Sequence, residues 1–217
     1  MTLIICIYIV NNMILNFEGN TFYINVEIIG EGGNWKVYKP EILKKHEQND
    51  CGHFVIKESK NNFDVNTYKK IYELLKSKKI PTLAFMYVGR LDEKDVVVTE
   101  DLRYRNNKLI YVPANLKDKG LDSKEEYLHS HKLSKIANED VVNSKIDKLA
   151  KLCTENSIMI FDDTIFYGVD TEKEIIYDII IADLESIKKE KEVDASYNRD
   201  AIQQSFKEFK ANYVEKS

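Results

Sequence analysis

The sequence predicts an α+β fold with a β-rich first hundred residues and a more helical remainder. Three observations carry that expectation. Runs of β-branched and aromatic residues, "TFYINVEIIG", "NWKVYKP" and "GHFVIKES", follow one another from Thr21 to Ser59. The stretch "DVNTYKKIYELLKSKK" then repeats its apolar residues at helical spacing. A second amphipathic stretch, "NSKIDKLAKLCTENS", precedes another pair of apolar strands.

Taken in order, "LIICIYIVNNMIL" at the start is apolar but broken by Asn11 and Asn12. It is too short to span a bilayer and lacks the basic region and cleavage site of a signal peptide. It reads as a strand or an N-terminal extension, with Met13 a second candidate start. The strand from Thr21 runs into "IGEGGNWKVY", where three of the chain's 8 glycines fall within four positions. Glycine is costly inside an element unless a turn or a close approach needs it. Pro40 is expected to end the second strand, and "EILKKHEQND" to be a polar loop. In the third strand Phe54 and Ile56 share one face, and Val55 and Lys57 the other. In the first helix Val65, Tyr68, Ile71, Tyr72, Leu74 and Leu75 form the apolar side, Asp64 or Asn66 caps it and Pro81 stops it. "TLAFMYVGRL" and "DVVVTEDL" make a hairpin around Asp92-Glu93-Lys94. Beyond it come a short strand in "KLIYVP", a polar helix over 123–140 and the amphipathic helix bearing Ile146, Leu149, Leu152 and Cys153. The strands "IFYGVD" and "EIIYDIIIADL" turn at Thr171-Glu172-Lys173, and a charged helix, "RDAIQQSFKEFKANYVE", follows.

With 43% hydrophobic and 31% charged residues, the chain has enough apolar material for a sizeable core. A net charge of −4 argues against a dedicated nucleic-acid binder. The three cysteines are scattered, with no CxxC or Cys/His spacing for zinc and no disulfide framework, which suits a reducing compartment.

This element order, with glycines in the first turn, resembles the protein-kinase fold. "IGEGGNWKVY" is similar to the glycine-rich loop G-x-G-x-x-G-x-V, with Gly30 and Gly32 as its first two glycines and Val37 as its valine. Trp35 stands at the third glycine position, and Gly33 leaves a second amide open. "FVIK" is similar to V-A-I-K, so the resemblance makes Lys57 the grip on the α/β-phosphates and Glu73 its ion-pair partner. It makes Thr99 the gatekeeper, and Glu100, Asp101 and Leu102 the backbone contacts to adenine. Asp162, in "IMIFDD", lies where H-R-D would be and takes the role of catalytic base, with Asp163 as an alternative shifted by one residue. Asp183, 21 residues on, lies where D-F-G would be and takes Mg²⁺. The position of the second metal ligand is Tyr167, so either Asp163 or Asp170 supplies that oxygen through a slip in register, or the resemblance implies a site for one Mg²⁺ or a pseudokinase.

Only 34 residues follow Asp183, fewer than an activation loop and later helices need. The resemblance is therefore to truncated kinases, such as minimal effector kinases injected by bacteria or small sugar kinases. It implies a bilobal kinase-like fold: an extension over 1–21, a nucleotide-binding N-lobe over 22–102 and a reduced C-lobe over 103–217. It implies ATP and Mg²⁺ as cofactors and transfer of the γ-phosphate to a hydroxyl, first a protein Ser/Thr. The alternatives are a pseudokinase or interaction module and a small-molecule kinase. A cytoplasmic location follows, or a host cytosol if the chain is an injected effector, with no membrane span and no nucleic acid among its partners.

Overall fold

Alternating apolar residues build the first half of the molecule. The computed structural model describes residues 13–31, 35–45, 53–60, 64–114, 128, 131–194 and 196–215. Six antiparallel strands close into a barrel: β1 (Met13–Phe17), β2 (Asn20–Glu31), β3 (Trp35–Lys45), β4 (Phe54–Ser59), β5 (Met86–Leu91) and β6 (Lys94–Glu100), in the order β1-β2-β3-β4-β6-β5. Leu15, Phe22, Ile24, Ile56, Leu91 and Val98 fill it. A helix, α1 (Val65–Ser77), links β4 to β5.

Several expectations change here. The extension assigned to residues 1–21 ends inside the barrel. β1 pairs with β2 and, through Leu15↔Leu91 and Asn16↔Arg90, closes onto β5. Glu18 (φ 49°) and Gly19 (φ 73°) make its turn into β2, where a two-residue hairpin turn needs positive φ. Residues 1–12 lie outside the described residues. Pro40 does not end β3, and the expected loop begins as strand as far as Lys45. Among the described residues pairing with β4 reaches Tyr38, and beyond it β3 continues against β2, where Pro40 sits opposite Val26. The first helix ends at Ser77, before Pro81, with Lys79 in the left-handed region (φ 55°). Asp64 caps its start by accepting the Asn66 N–H at 3.0 Å.

The second half holds a three-stranded sheet in the order β10-β9-β7. Its members are β7 (Ile110–Pro113), β9 (Ile165–Asp170) and β10 (Ile175–Ile181). Two helices, α2 (Glu139–Glu155) and α3 (Tyr197–Tyr213), pack beside it, and the short β8 (Ile158–Met159) pairs with β11 (Lys188–Lys189). The helix expected over 123–140 is absent from its described stretch 131–138, where the Glu174 carboxylate instead accepts the Ser134 N–H and hydroxyl. No helix among the described residues is long and apolar enough to cross a membrane.

The fold is thus α+β, with a closed six-stranded barrel and, among the described residues, the three α-helices named above. One apolar cluster runs across both halves. Trp35, Tyr68, Leu75 and Val97 join Ile146, Leu149, Ile181 and Phe206 in it. Hydrogen bonds reinforce the junction: the Ile181 N–H donates to the Pro81 carbonyl (2.9 Å), and the Thr82 hydroxyl donates to the Ile181 carbonyl (2.7 Å). The shared core and these bonds hold the cleft between the halves in one shape.

Candidate functional site

The two faces of β4 separate two jobs. Phe54 and Ile56 point into the barrel, while Val55 and Lys57 point out of it into a cleft of about 560 Å³. Gly30 and Val37 line the same cleft from β2 and β3. Thr99, Glu100, Asp101 and Leu102 line it where the chain leaves the barrel, and Leu83, Tyr111, Phe166 and Ala182 complete it. Seven residues singled out in the sequence, Gly30, Val37, Lys57, Thr99, Glu100, Asp101 and Leu102, therefore share one cleft. Gly32 and Gly33 lie outside the described residues. Gly30 faces Val37 across an irregularity in the β2–β3 register.

The connecting segment 99–105 is held by charge pairs. The buried Glu100 carboxylate accepts the Ala84 N–H and the Arg105 guanidinium (2.9 Å). Burial raises its pKa, opposed by those two partners and Lys76. Asp101 caps the 3-10 turn at Leu102–Tyr104 and holds the Arg103 guanidinium at 2.7 and 2.5 Å.

Lys57 is half-buried at one end of the cleft, and its partner is not the expected one. Glu73 is 60% exposed and pairs with Lys69 at 3.9 Å. The buried face of α1 carries Val65, Tyr68 and Leu75. Glu73, five residues after Tyr68, is turned about 140° away from it at 100° per residue. Tyr68 takes the place instead. Lys57 Nζ donates to Tyr68 Oη at 3.3 Å, and the Leu184 N–H donates to the same oxygen at 3.2 Å. The helix phase set by Val65 and Leu75 is the signal in the sequence that selects Tyr68 over Glu73.

Around Lys57 gather the carboxylates of the 183–186 segment. Burial alone would lower the lysine's pKa, but Tyr68, Asp183 and Glu185 outweigh it and raise it above the ordinary value. Trp35 Nε1 donates to Glu185 Oε2 at 2.7 Å, and its ring meets Tyr68 edge-on at 5.4 Å. Burial and the neighbouring Asp183 push the Glu185 carboxyl up, opposed by Trp35 and Lys57. The Ser186 hydroxyl donates to Asp163 Oδ2 at 3.4 Å, and Asp163 also bears on Glu185. The Ala182 N–H donates to the Thr164 carbonyl at 3.0 Å, which ties this segment to the 3-10 turn Asp162–Thr164.

That turn splits its two acids. Asp163 faces the 183–186 segment. Asp162, expected as the base, lines a separate depression with Phe161, Asp194, Tyr197 and Asp200. Tyr167 is fully buried, 4.8 Å from the Phe209 ring, and its hydroxyl donates to Ser205. Asp170, at the far end of β9, accepts the Lys173 N–H at 3.0 Å. Neither Tyr167 nor Asp170 is brought to Lys57.

Among the described residues no group of three or more His, Cys, Asp or Glu side chains is arranged to hold a metal. Mg²⁺ commonly takes one or two carboxylates and completes its shell with phosphates and waters. Asp183 and its neighbour Glu185 are the carboxylates next to Lys57 that could take part in such a shell. No family model matches the chain, and no curated protein matches it.

Proposed function

We propose that the chain is a small ATP-dependent phosphotransferase of the protein-kinase-like class, with the barrel as its N-lobe and residues 103–217 as a reduced C-lobe. The observation that carries this reading is Lys57, a cation that lines the same cleft as Val37, Val55, Leu83 and Ala182 and is acted on by Asp183. The adenine ring lies between Val37 and Val55 on one side and Leu83 and Ala182 on the other. The Glu100 and Asp101 N–H groups donate to the Phe85 and His53 carbonyls, so the Leu102 N–H is the donor of this segment that meets the ring edge. Lys57 holds the α/β-phosphates; Asp183 would hold a Mg²⁺, which would supply charge neutralisation for transfer of the γ-phosphoryl group. Asp163, rather than Asp162, accepts the acceptor's hydroxyl proton. That oxygen then bonds to the γ-phosphorus as the bond to ADP breaks. A protein Ser/Thr acceptor rests on the family resemblance alone.

One observation favours a second reading, a nucleotide-binding module without transfer. The Asp162–Thr164 turn passes directly into β9, and Tyr167 is locked in the core. The usual second metal oxygen has no counterpart there. Calorimetry with Mg-ATP, followed by an assay of γ-phosphate transfer, tests both. Binding and transfer that are lost in Lys57→Met and Asp183→Asn support the phosphotransferase. Binding without transfer supports the module. No binding by a folded wild-type chain refutes both.

A further inference from the structure

Three residues that depart from the kinase pattern, Trp35, Tyr68 and Glu185, touch one another or share a neighbour. Trp35 stands where the third loop glycine would be, Glu185 where the D-F-G glycine would be, and Tyr68 does the work expected of a helix glutamate. They come from β3, the segment after β10, and α1, up to 150 positions apart in sequence. We propose that Tyr68 is a positioning residue that holds Lys57 and the 183–185 segment in one arrangement before nucleotide binds, with Trp35 as its support. The inference rests on the nucleotide-binding reading above and deepens it.

The geometry supplies the reasons. Tyr68 is fully buried, so its ring is fixed by packing. Its oxygen accepts two hydrogen bonds at once, from Lys57 Nζ (3.3 Å) and the Leu184 N–H (3.2 Å), which matches its two lone pairs. Pinning Leu184 N–H fixes the backbone one residue after Asp183. The distance between the phosphate-binding cation and the metal-binding carboxylate is therefore set by a single side chain. A neutral hydroxyl also leaves the charge of Lys57 uncompensated by its helix partner, where a glutamate would cancel part of it. Burial keeps the phenol protonated by raising its pKa. Trp35 braces the ring at 5.4 Å and anchors Glu185 at 2.7 Å, so the other end of the segment is held as well.

The test compares Mg-ATP with adenosine, which occupies the base-binding part of the cleft but has no phosphates for Lys57. Calorimetry is run on wild type, Tyr68→Phe, Lys57→Met and the double variant. Tyr68→Phe keeps the ring and removes only the hydroxyl. Hydrogen bonds to charged groups carry energies that correspond to about tenfold or more in binding. We expect Tyr68→Phe to weaken Mg-ATP by about tenfold and to leave adenosine within about twofold. In the Lys57→Met background the same change is expected to have little further effect on Mg-ATP, because Tyr68 acts through Lys57. An unchanged Mg-ATP affinity, an equal loss for both ligands, or full additivity in the double variant would overturn the inference and leave nucleotide binding intact. If Tyr68→Phe does not fold, Trp35→Phe decides instead. Selective loss of Mg-ATP supports the arrangement and no loss refutes it. A wild-type chain that binds neither ligand removes the nucleotide reading itself, and the inference with it.

Discussion

Asn198 gives the sharpest stability prediction, because its side chain stitches α3 to the chain that leads into the Asp162–Thr164 turn. It is fully buried in the first turn of α3. Its Oδ1 accepts the Ile160 N–H at 3.0 Å, and its Nδ2 donates to the Ile158 carbonyl at 2.8 Å and to Thr154 Oγ at 3.1 Å. Asn198→Ala removes all three bonds and strands polar backbone groups of Ile158 and Ile160, residues that are themselves fully buried. Each stranded buried group costs about 1–3 kcal/mol. Two of them give a working loss of about 3 kcal/mol, the lower half of the range, because the vacated volume admits some relaxation. For a chain of this size that corresponds to a fall in Tm of about 6–12 °C. Urea denaturation at constant m-value is the assay. Asn212→Ala is the control, since Asn212 makes a single bond, from Nδ2 to the Ala114 carbonyl at 2.9 Å, from a half-buried position. It is expected to lose about 1 kcal/mol. A loss under about 1 kcal/mol for Asn198→Ala, or equal losses for the two variants, would refute the accounting of stranded groups.

Two further predictions concern the cleft and its support. Trp35 is the only tryptophan in the chain, so its emission reports the Glu185 carboxyl bonded to its indole. Burial raises that carboxyl's pKa, so an acid titration of fluorescence should show a step above 4.5 that disappears in Glu185→Gln. A step at or below 4.5, or one that persists in the variant, would contradict the assignment. The linkage has a definite sign. A carboxyl raised above its unfolded value adds stability below 4.5 and loses it as pH rises through the folded value, so Glu185→Gln should gain on wild type toward neutral pH. At Gly168, an added Cβ would lie 2.9 Å from Tyr111 Cε1 and 3.0 Å from Asp178 Cβ. Gly168→Ala should therefore cost about 1–3 kcal/mol by denaturation, and the cost should shrink in a Tyr111→Leu background. An unchanged cost there would show that Tyr111 is not the obstacle.

Local physics was legible in the sequence. The alternation across Phe54, Val55, Ile56 and Lys57 sorted barrel interior from cleft correctly, because neighbouring side chains of a strand must face opposite ways. Asp64 was readable as a helix cap, and the Thr171-Glu172-Lys173 turn as a hairpin, because both depend on residues a few positions apart. The phase of α1 was also present in Val65 and Leu75, although the expectation of a charged partner pointed to Glu73. Long-range relations were not legible. Nothing local says that Leu15 pairs with Leu91 to close the barrel, that β3 runs on through Pro40, or that Trp35 reaches Glu185. Nor does sequence spacing say which of two adjacent aspartates a 3-10 turn sends toward the 183–186 segment. The sequence by itself determined which residues form strands and helices and which face of each is apolar, since backbone periodicity acts over a few residues. Only the tertiary structure decided that Lys57 bonds Tyr68 rather than Glu73, and that Asp163 faces Ser186 while Asp162 turns to a separate depression, because those positions depend on how whole elements pack around one shared core.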